Sequence, residues 1–280
     1  MNPNDYNGYF PTWCPGCGNY GIWAALKSAL VKLTWKPDDF ILVYGVGCSG
    51  NMNDFVKVYG LHSLHGRAMP NAIGLKLANH KLPVIVVGGD GDQYGEGGNH
   101  FMHACRGNYD ITLLVHNNQV YGLTTGQVSP TSTKGSKSKS TPKGIIEDPV
   151  NPTALAITQG ATYVAQGFAG DIPQLTKLIV DGINHKGFSL VNVYQPCVTF
   201  NKVNTYQWFR ERVYKLDETH NKEDIKQAVG LTVGNEKIPT GVLYQVQKPT
   251  YEESLSQLET GSLVEQTPTF DFKTLVDELV

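Results

Sequence analysis

Two carboxylates, Asp90 and Asp92, end the apolar run "VIVVGGDGD" (84–92), and two amides, Asn117 and Asn118, end "ITLLVHNN" (111–118). A strand built for burial rarely ends in unpaired charge, so these acids require water or a positive partner. Aspartate and asparagine are hard oxygen donors, and the surrounding glycines let a backbone approach a phosphate closely. Carboxylate, amide oxygen and diphosphate together would make a magnesium shell, because magnesium takes few protein ligands and keeps substrate phosphates. Taken singly, the aspartates read equally well as turn residues and the asparagines as a loop. The five cysteines suggest other chemistry. Cys14 and Cys17 form a CxxC, and Cys48 and Cys197 each close a strand-like run. A CxxC alone suits zinc or a redox pair. Four thiolates brought to one edge suit zinc or an iron–sulfur cluster. Cys105 falls in a helix-like stretch and reads as a small buried apolar residue.

These residues need elements to position them. Apolar and β-branched runs at 40–47, 83–89, 111–117, 162–167 and 189–196 predict strands. Between them, 18–33 carries Ile22, Ala25, Leu26, Ala29, Leu30 and Leu33 at a helical period, and 67–81, 97–106 and 172–185 also read as helices. Such alternation predicts an α/β fold, a parallel sheet with helices on both faces. "GVGCSGN", "GGDGDQYGEGG", "HNNQVYG" and "QPCVTFN" all follow strands. In an open parallel sheet those ends share one edge, where ligands bind.

Composition narrows the class. With 280 residues, 40% hydrophobic, 17% charged and a formal net charge of −2, the chain suits one large globular unit or two small ones. No overall field favours nucleic acid or a membrane surface. No apolar run is long enough to span a bilayer, and "MNPNDYNGYF" lacks the pattern of a signal peptide. The expectation is a soluble cytoplasmic protein binding neither nucleic acid nor membrane.

Gly89-Asp90-Gly91, followed about 25 residues later by Asn117-Asn118, resembles the thiamine diphosphate motif. In that family the Asp, the second Asn and a carbonyl two residues on hold magnesium, which implies Asp90, Asn118 and the carbonyl of Val120. Further segments extend the likeness: "WCPGCGNYGI", "GVGCSG", "LHGRAMPNAIGLKLAN", the run from "GGDGDQYGEGG" to "GLTTGQVSPT", and "QPCVTFN". Together, from about residue 9 to about residue 210, they resemble the β subunit of archaeal-type 2-oxoacid:ferredoxin oxidoreductases. The resemblance implies the diphosphate-binding half of a thiamine diphosphate-binding fold over residues 1–202, with a C-terminal extension over 203–280 packing on a partner. It implies thiamine diphosphate, magnesium and one [4Fe–4S] cluster on Cys14, Cys17, Cys48 and Cys197. Cofactor contacts would come from Val46, Gly47, Cys48, Ser49, His65, Gly89, Asp90, Gly91, Asp92, Asn118, Val120 and Leu123. His65 and Leu123 would act at the reacting centre, with Leu123 in the segment 122–131 that closes over the cofactor. Arg67 would brace its loop, and His62 would be structural.

The implied reaction is CoA-dependent oxidative decarboxylation of a 2-oxoacid to acyl-CoA and CO2, with electrons passing through the cluster to ferredoxin. Enzymes of this type need a second domain for the cofactor's pyrimidine, and the chain has no second α/β unit. An α subunit, in a heterodimer or higher assembly, is therefore expected to complete the site. Ser49 and Leu123 offer no cation for a second substrate carboxylate, which leans the expectation towards pyruvate and other neutral 2-oxoacids. The polar, lysine-rich 132–141 reads as a solvated loop, or as a docking patch for an acidic ferredoxin. Two alternatives stand beside this reading: a non-oxidative thiamine diphosphate decarboxylase or synthase, and a zinc-stabilised binding subunit.

Overall fold

The five apolar runs form the centre of one sheet in the computed structural model, which describes residues 1–234, 236–267 and 271–279. In chain order the elements are α1 (Asn19–Lys32), β1 (Ile41–Tyr44), α2 (Met52–Phe55), β2 (Tyr59–His62), α3 (Ala68–Ala78), β3 (Val84–Gly89), a π-helical turn (Gly91–Glu96) and α4 (Gly98–Gly107). There follow β4 (Thr112–Asn117), the short pair β5 (Val120–Tyr121) and β6 (Gln127–Val128), α5 (Pro152–Thr158), β7 (Tyr163–Phe168), α6 (Ile172–Asn184) and β8 (Ser189–Tyr194). The later chain adds α7 (Tyr206–Arg212), β9 (Val213–Lys215), α8 (Ile225–Thr232) and β10 (Ile238–Gln245).

The eight-stranded sheet runs in the order β2-β1-β3-β4-β8-β7-β10-β9. It is parallel from β2 to β7. The expected parallel sheet thus forms the larger part of a mixed one, because β10 pairs antiparallel with β7 and carries β9 on its far side. Residues 206–245 accordingly continue the sheet beyond position 202.

Successive side chains on a strand point to opposite faces, and the chain fills both. Leu42 and Tyr44, Ile85 and Val87, and Val191 and Val193 pack with α1 and α6 on one face. Val43, Val84 and Val86, and Leu113 and Val115 pack with α3, α4, α5 and α8 on the other. Each fully buried Val or Leu side chain contributes about 1.5–3 kcal/mol, so these two layers hold the strand ends rigidly in place. Caps fix the helix starts: Asp171 accepts from Gln174 N at 3.1 Å at the head of α6, and Asn151 accepts from Ala154 N at 3.1 Å at the head of α5.

After β1 the chain goes outward to the edge strand β2, then crosses back to β3 on the other side of β1. That reversal opens a crevice between the C-terminal ends of β1 and β3, the place where open α/β sheets bind ligands. Among the described residues no helix is long and apolar enough to cross a membrane.

Candidate active site

A cleft of about 430 Å³ opens at that reversal, lined by the loops after β1, β3 and β4 together with His65. Asp92 builds its floor. The carboxylate is buried, and Oδ1 accepts from Val46 N at 3.1 Å and from Gly66 N at 2.8 Å. One side chain thereby ties the loop after β1 to the loop after β2. Room for it comes from Gly45, where a Cβ would stand 1.8 Å from Asp92 Oδ2. Burial raises the Asp92 pKa, and the two backbone donors and His65 pull it back.

Asp90 is also buried, and its partners come from the strap after β6. Ser129 Oγ donates to Asp90 Oδ2 at 2.5 Å, and Thr131 Oγ1 lies 2.7 Å from the same oxygen. Asn118 N donates to Oδ1 at 3.3 Å. Burial raises the Asp90 pKa against these donors. Thr131 Oγ1 also lies 2.9 Å from Asn117 Oδ1, and Asn117 donates to Asn192 Oδ1 at 3.2 Å, so the acid heads a buried polar network. Asn118 turns inward on its own chain, with Oδ1 accepting from Val120 N at 3.0 Å. Its carbonyl accepts from Asn201 Nδ2 at 3.1 Å.

The open side of the cleft is the loop after β1. Gly47 has φ +132°, a conformation that favours glycine, and no atom lies within 4 Å of where its Cβ would be. Ser49 Oγ is buried there without a hydrogen-bond partner. His65 sits at the mouth, its Nδ1 3.3 Å from Asp92 Oδ1 and 3.2 Å from Glu96 Oε2. Tyr121 OH lies 3.2 Å from both Glu96 carboxylate oxygens. Arg67 Nη1 donates to the carbonyls of Gly66 and Glu96, each at 3.2 Å, which braces the loop. His62 Nε2 lies 3.1 Å from the Gly45 carbonyl oxygen. Leu123 is half exposed over the cleft.

A second cavity of about 700 Å³ adjoins the first and shares Cys48, Asn118, Gly122 and Leu123 with it. Cys14, Cys17, Cys48 and Cys197 all line it, and Cys105 is buried elsewhere, in α4. A Cβ on Gly122 would stand 3.4 Å from Cys48 Sγ and 3.8 Å from Cys197 Sγ. Burial, with the neighbouring thiols adding to it, pushes the Cys17 thiol up to about 12 and the Cys48 thiol up to about 11.

The expected metal sites are therefore corrected. Among the described residues no group of three or more histidine, cysteine, aspartate or glutamate side chains could hold a metal ion. This finding stands against the [4Fe–4S] cluster on Cys14, Cys17, Cys48 and Cys197, and against magnesium on Asp90, Asn118 and Val120. It removes the zinc alternative as well. The spacing brings these residues to one edge, but internal hydrogen bonds already engage Asp90 and Asn118.

Of the predicted cofactor contacts, Val46, Gly47, Cys48, Ser49, His65, Gly89, Asp90, Gly91, Asp92, Asn118, Val120 and Leu123 all line the first cleft. Glu96, Ser129 and Thr131 were not singled out from sequence. Their signal is long-range: a hydroxyl pair, "SPT", reaches an aspartate about 40 residues earlier.

Comparison with known proteins decides what the cleft belongs to. Residues 45–193 match the family model "Thiamine pyrophosphate enzyme, C-terminal TPP binding domain", and residues 197–260 match the model for the C-terminal part of the pyruvate ferredoxin oxidoreductase beta subunit. The chain is 44% identical over 274 residues to the 2-oxoacid:ferredoxin oxidoreductase subunit beta of Saccharolobus solfataricus, covering 92% of this chain and 90% of that one. The chain belongs to the 2-oxoacid:ferredoxin oxidoreductase β-subunit family. Another relative of this β subunit, the 2-oxoglutarate synthase subunit KorB of Methanocaldococcus jannaschii, is 37% identical, with 88% of this chain and 92% of that one covered. In three dimensions the β subunit matches a 2-oxoglutarate:ferredoxin oxidoreductase from Magnetococcus marinus, solved with 2-oxoglutarate, coenzyme A and succinyl-CoA bound. That match has a TM-score of 0.93 and 38% identity, and covers 99% of this chain and 96% of the other.

Proposed function

We propose that the chain works in the cytoplasm as the β subunit of an enzyme that oxidatively decarboxylates a 2-oxoacid to acyl-CoA and CO2 and passes the electrons to ferredoxin. The observation that carries this reading is the cleft at the sheet reversal, matched in sequence to a thiamine pyrophosphate-binding domain. Its residues suit a diphosphate. Gly47 leaves space where any side chain would intrude, and Ser49 Oγ is a buried group still lacking a partner. Thiamine diphosphate supplies, when bound, an electron sink for the carbon that loses CO2.

The chain's own residues do the rest. The Val46–Ser49 loop and Gly89–Asp92 receive the cofactor, with Asn118 and Val120 closing the third side. Asp92 keeps two of the three loops in register through its paired backbone donors. Asp90 holds the strap from Gln127 to Thr131 down against the site through Ser129 and Thr131. His65 and Leu123 meet the reacting end, and Leu123 with Tyr121 screens it from water. Neither cavity is lined by a lysine or arginine, so recognition of a second substrate carboxylate falls to the α subunit. That subunit also provides the pyrimidine half, and residues 203–280 supply packing surface for it.

Coexpression with the α subunit tests the reading. The complex, supplied with thiamine diphosphate, should reduce a viologen dye in a CoA-dependent way with pyruvate or 2-oxoglutarate. Turnover that proceeds equally without CoA, or no turnover with any 2-oxoacid, overturns it.

A further inference from the structure

Away from the cleft, just before β4 begins, a separate cavity of about 510 Å³ lies between the body of the sheet and the segment after β10. That segment is fastened as a wall. Asn108 Nδ2 donates to the Pro249 carbonyl at 2.9 Å, and the Tyr251 ring lies on Tyr109 with centroids 4.6 Å apart. The cavity shares no lining residue with the cleft. Its size suits a small molecule.

Its charges do not balance. Four acids line it, Asp110, Glu252, Glu253 and Glu259, against two lysines, Lys76 and Lys186. Both lysines go to one acid: Lys76 Nζ lies 2.9 Å and Lys186 Nζ 3.2 Å from Asp110 Oδ2. Lys76 Nζ also donates to the Leu82 carbonyl at 3.2 Å. Among the described residues no lysine or arginine forms an ion pair with any of the three glutamates. Glu252 is the least satisfied of them. It is 5% exposed, its Oε2 accepts from Asp110 N at 3.3 Å, and its Oε1 has no partner. A buried carboxylate oxygen without a donor is costly. Burial raises the Glu252 pKa, and two backbone N–H groups and the charge of Lys76 offset it only in part. His80 Nδ1, in the same lining, is also buried without a partner. Glu253 and Glu259 are exposed, and Glu253 Oε2 accepts from Thr250 N at 2.8 Å. Leu255 and Leu258 supply the apolar part of the lining.

We propose that this cavity binds an aliphatic diamine or longer polyamine, with one ammonium on Glu252, the methylene chain along Leu255 and Leu258, and a second ammonium at Glu259. An ammonium has three donors and no acceptor, the complement of a carboxylate oxygen that lacks a donor. The bond it makes is charge-assisted, and it favours the ionised form of the acid. Among the described residues no group of three or more side chains could hold a metal ion, so these acids do not build a cage for a bare cation. An anion would meet the surplus carboxylates. A monoamine would leave the outer acids unpaired.

The test is titration calorimetry on the complex with its α subunit, with putrescine as the probe and butylamine and magnesium chloride as comparisons. Putrescine should bind about tenfold more tightly than butylamine, and Glu252→Gln should weaken both amines about tenfold. Glu259→Gln changes an exposed side chain, and it should bring the two amines to within about threefold of each other. Wild-type complex that takes up no putrescine at millimolar concentration overturns the proposal. So does putrescine affinity that survives Glu252→Gln unchanged. Magnesium that displaces putrescine as well as a second diamine does also overturns it, because the acids would then act as an unselective patch. Thermal melting shows whether Glu252→Gln keeps the fold. If it does not, Glu259→Gln decides alone, and an unchanged ratio of putrescine to butylamine affinity there overturns the proposal.

Discussion

The two neighbouring cavities share a wall at Cys48, Gly122 and Leu123, yet they differ in how their polar groups are satisfied. In the cleft, Asp90 and Asp92 stay buried because backbone and hydroxyl donors converge on them. In the cysteine cavity, burial acts on groups with few donors and pushes the Cys17 and Cys48 thiols up. The contrast teaches that burial works against charge in both cavities, and that hydrogen-bond donors oppose it more around the two aspartates than around the thiols. Residue spacing brought both sets to the same edge; the donors around each decide what it can hold.

The strongest attack on the comparison goes through Gly45. A methyl group there would press into the Asp92 carboxylate, whose bonds join two loops. Gly45→Ala should therefore lower unfolding stability by about 1–3 kcal/mol, and denaturant unfolding measures it. A change near zero would mean that Asp92 is not the clamp described.

A smaller effect concerns Asp90 and pH. Its folded pKa is raised above the ordinary aspartate value, chiefly by burial. The folded state then binds the proton more tightly than the unfolded state, so stability should fall as pH rises from about 4 through the raised value. Asp90→Asn should remove that slope. Urea midpoints between pH 4 and pH 8 give the readout, and a slope that persists in the variant would assign it to another group.

The gentlest probe is alkylation. Cys14 is exposed, whereas Cys17, Cys105 and Cys197 are buried. At pH 8 a thiol titrating at about 11, as at Cys48, holds roughly a thousandth of its population as thiolate. Iodoacetamide should therefore label Cys14 first, with Cys48 and Cys17 lagging, and melting temperature should not move. Even labelling of all four, or an iron chromophore retained through anaerobic purification, would break the contrast between the cavities.

The elements legible in the sequence were those with continuous apolar patterns. β3, β4, β7 and β8 were each marked by a run of residues that only a doubly covered strand can bury, and the structure places them within a few residues of the expected limits. β2 was missed because "YGLH" has no such run: it is an edge strand with every residue exposed. β10 and α8 were hidden by an irregular pattern in a stretch read as an extension. In the site, the glycine-rich strand ends pointed to the cleft, since their composition reports backbone crowding directly. The partners of Asp90 and His65 were not legible. Ser129 and Thr131 lie in the segment 122–131 that the resemblance implied would close over the cofactor, but their pairing with Asp90, like that of Glu96 with His65, is set only when β5 and β6 fold back over the turn after β3.

The antiparallel entry of β10 delivers the chain to the rim opposite the cleft. There Asn108 donates to the Pro249 carbonyl at 2.9 Å, Ser262 bonds Asn79 at 3.0 Å, and Lys81 meets Glu265 at 2.6 Å. The thickness of the sheet thus separates residues 246–265 from the groups that line the cleft, so what this segment docks against is set apart from what receives the ligand.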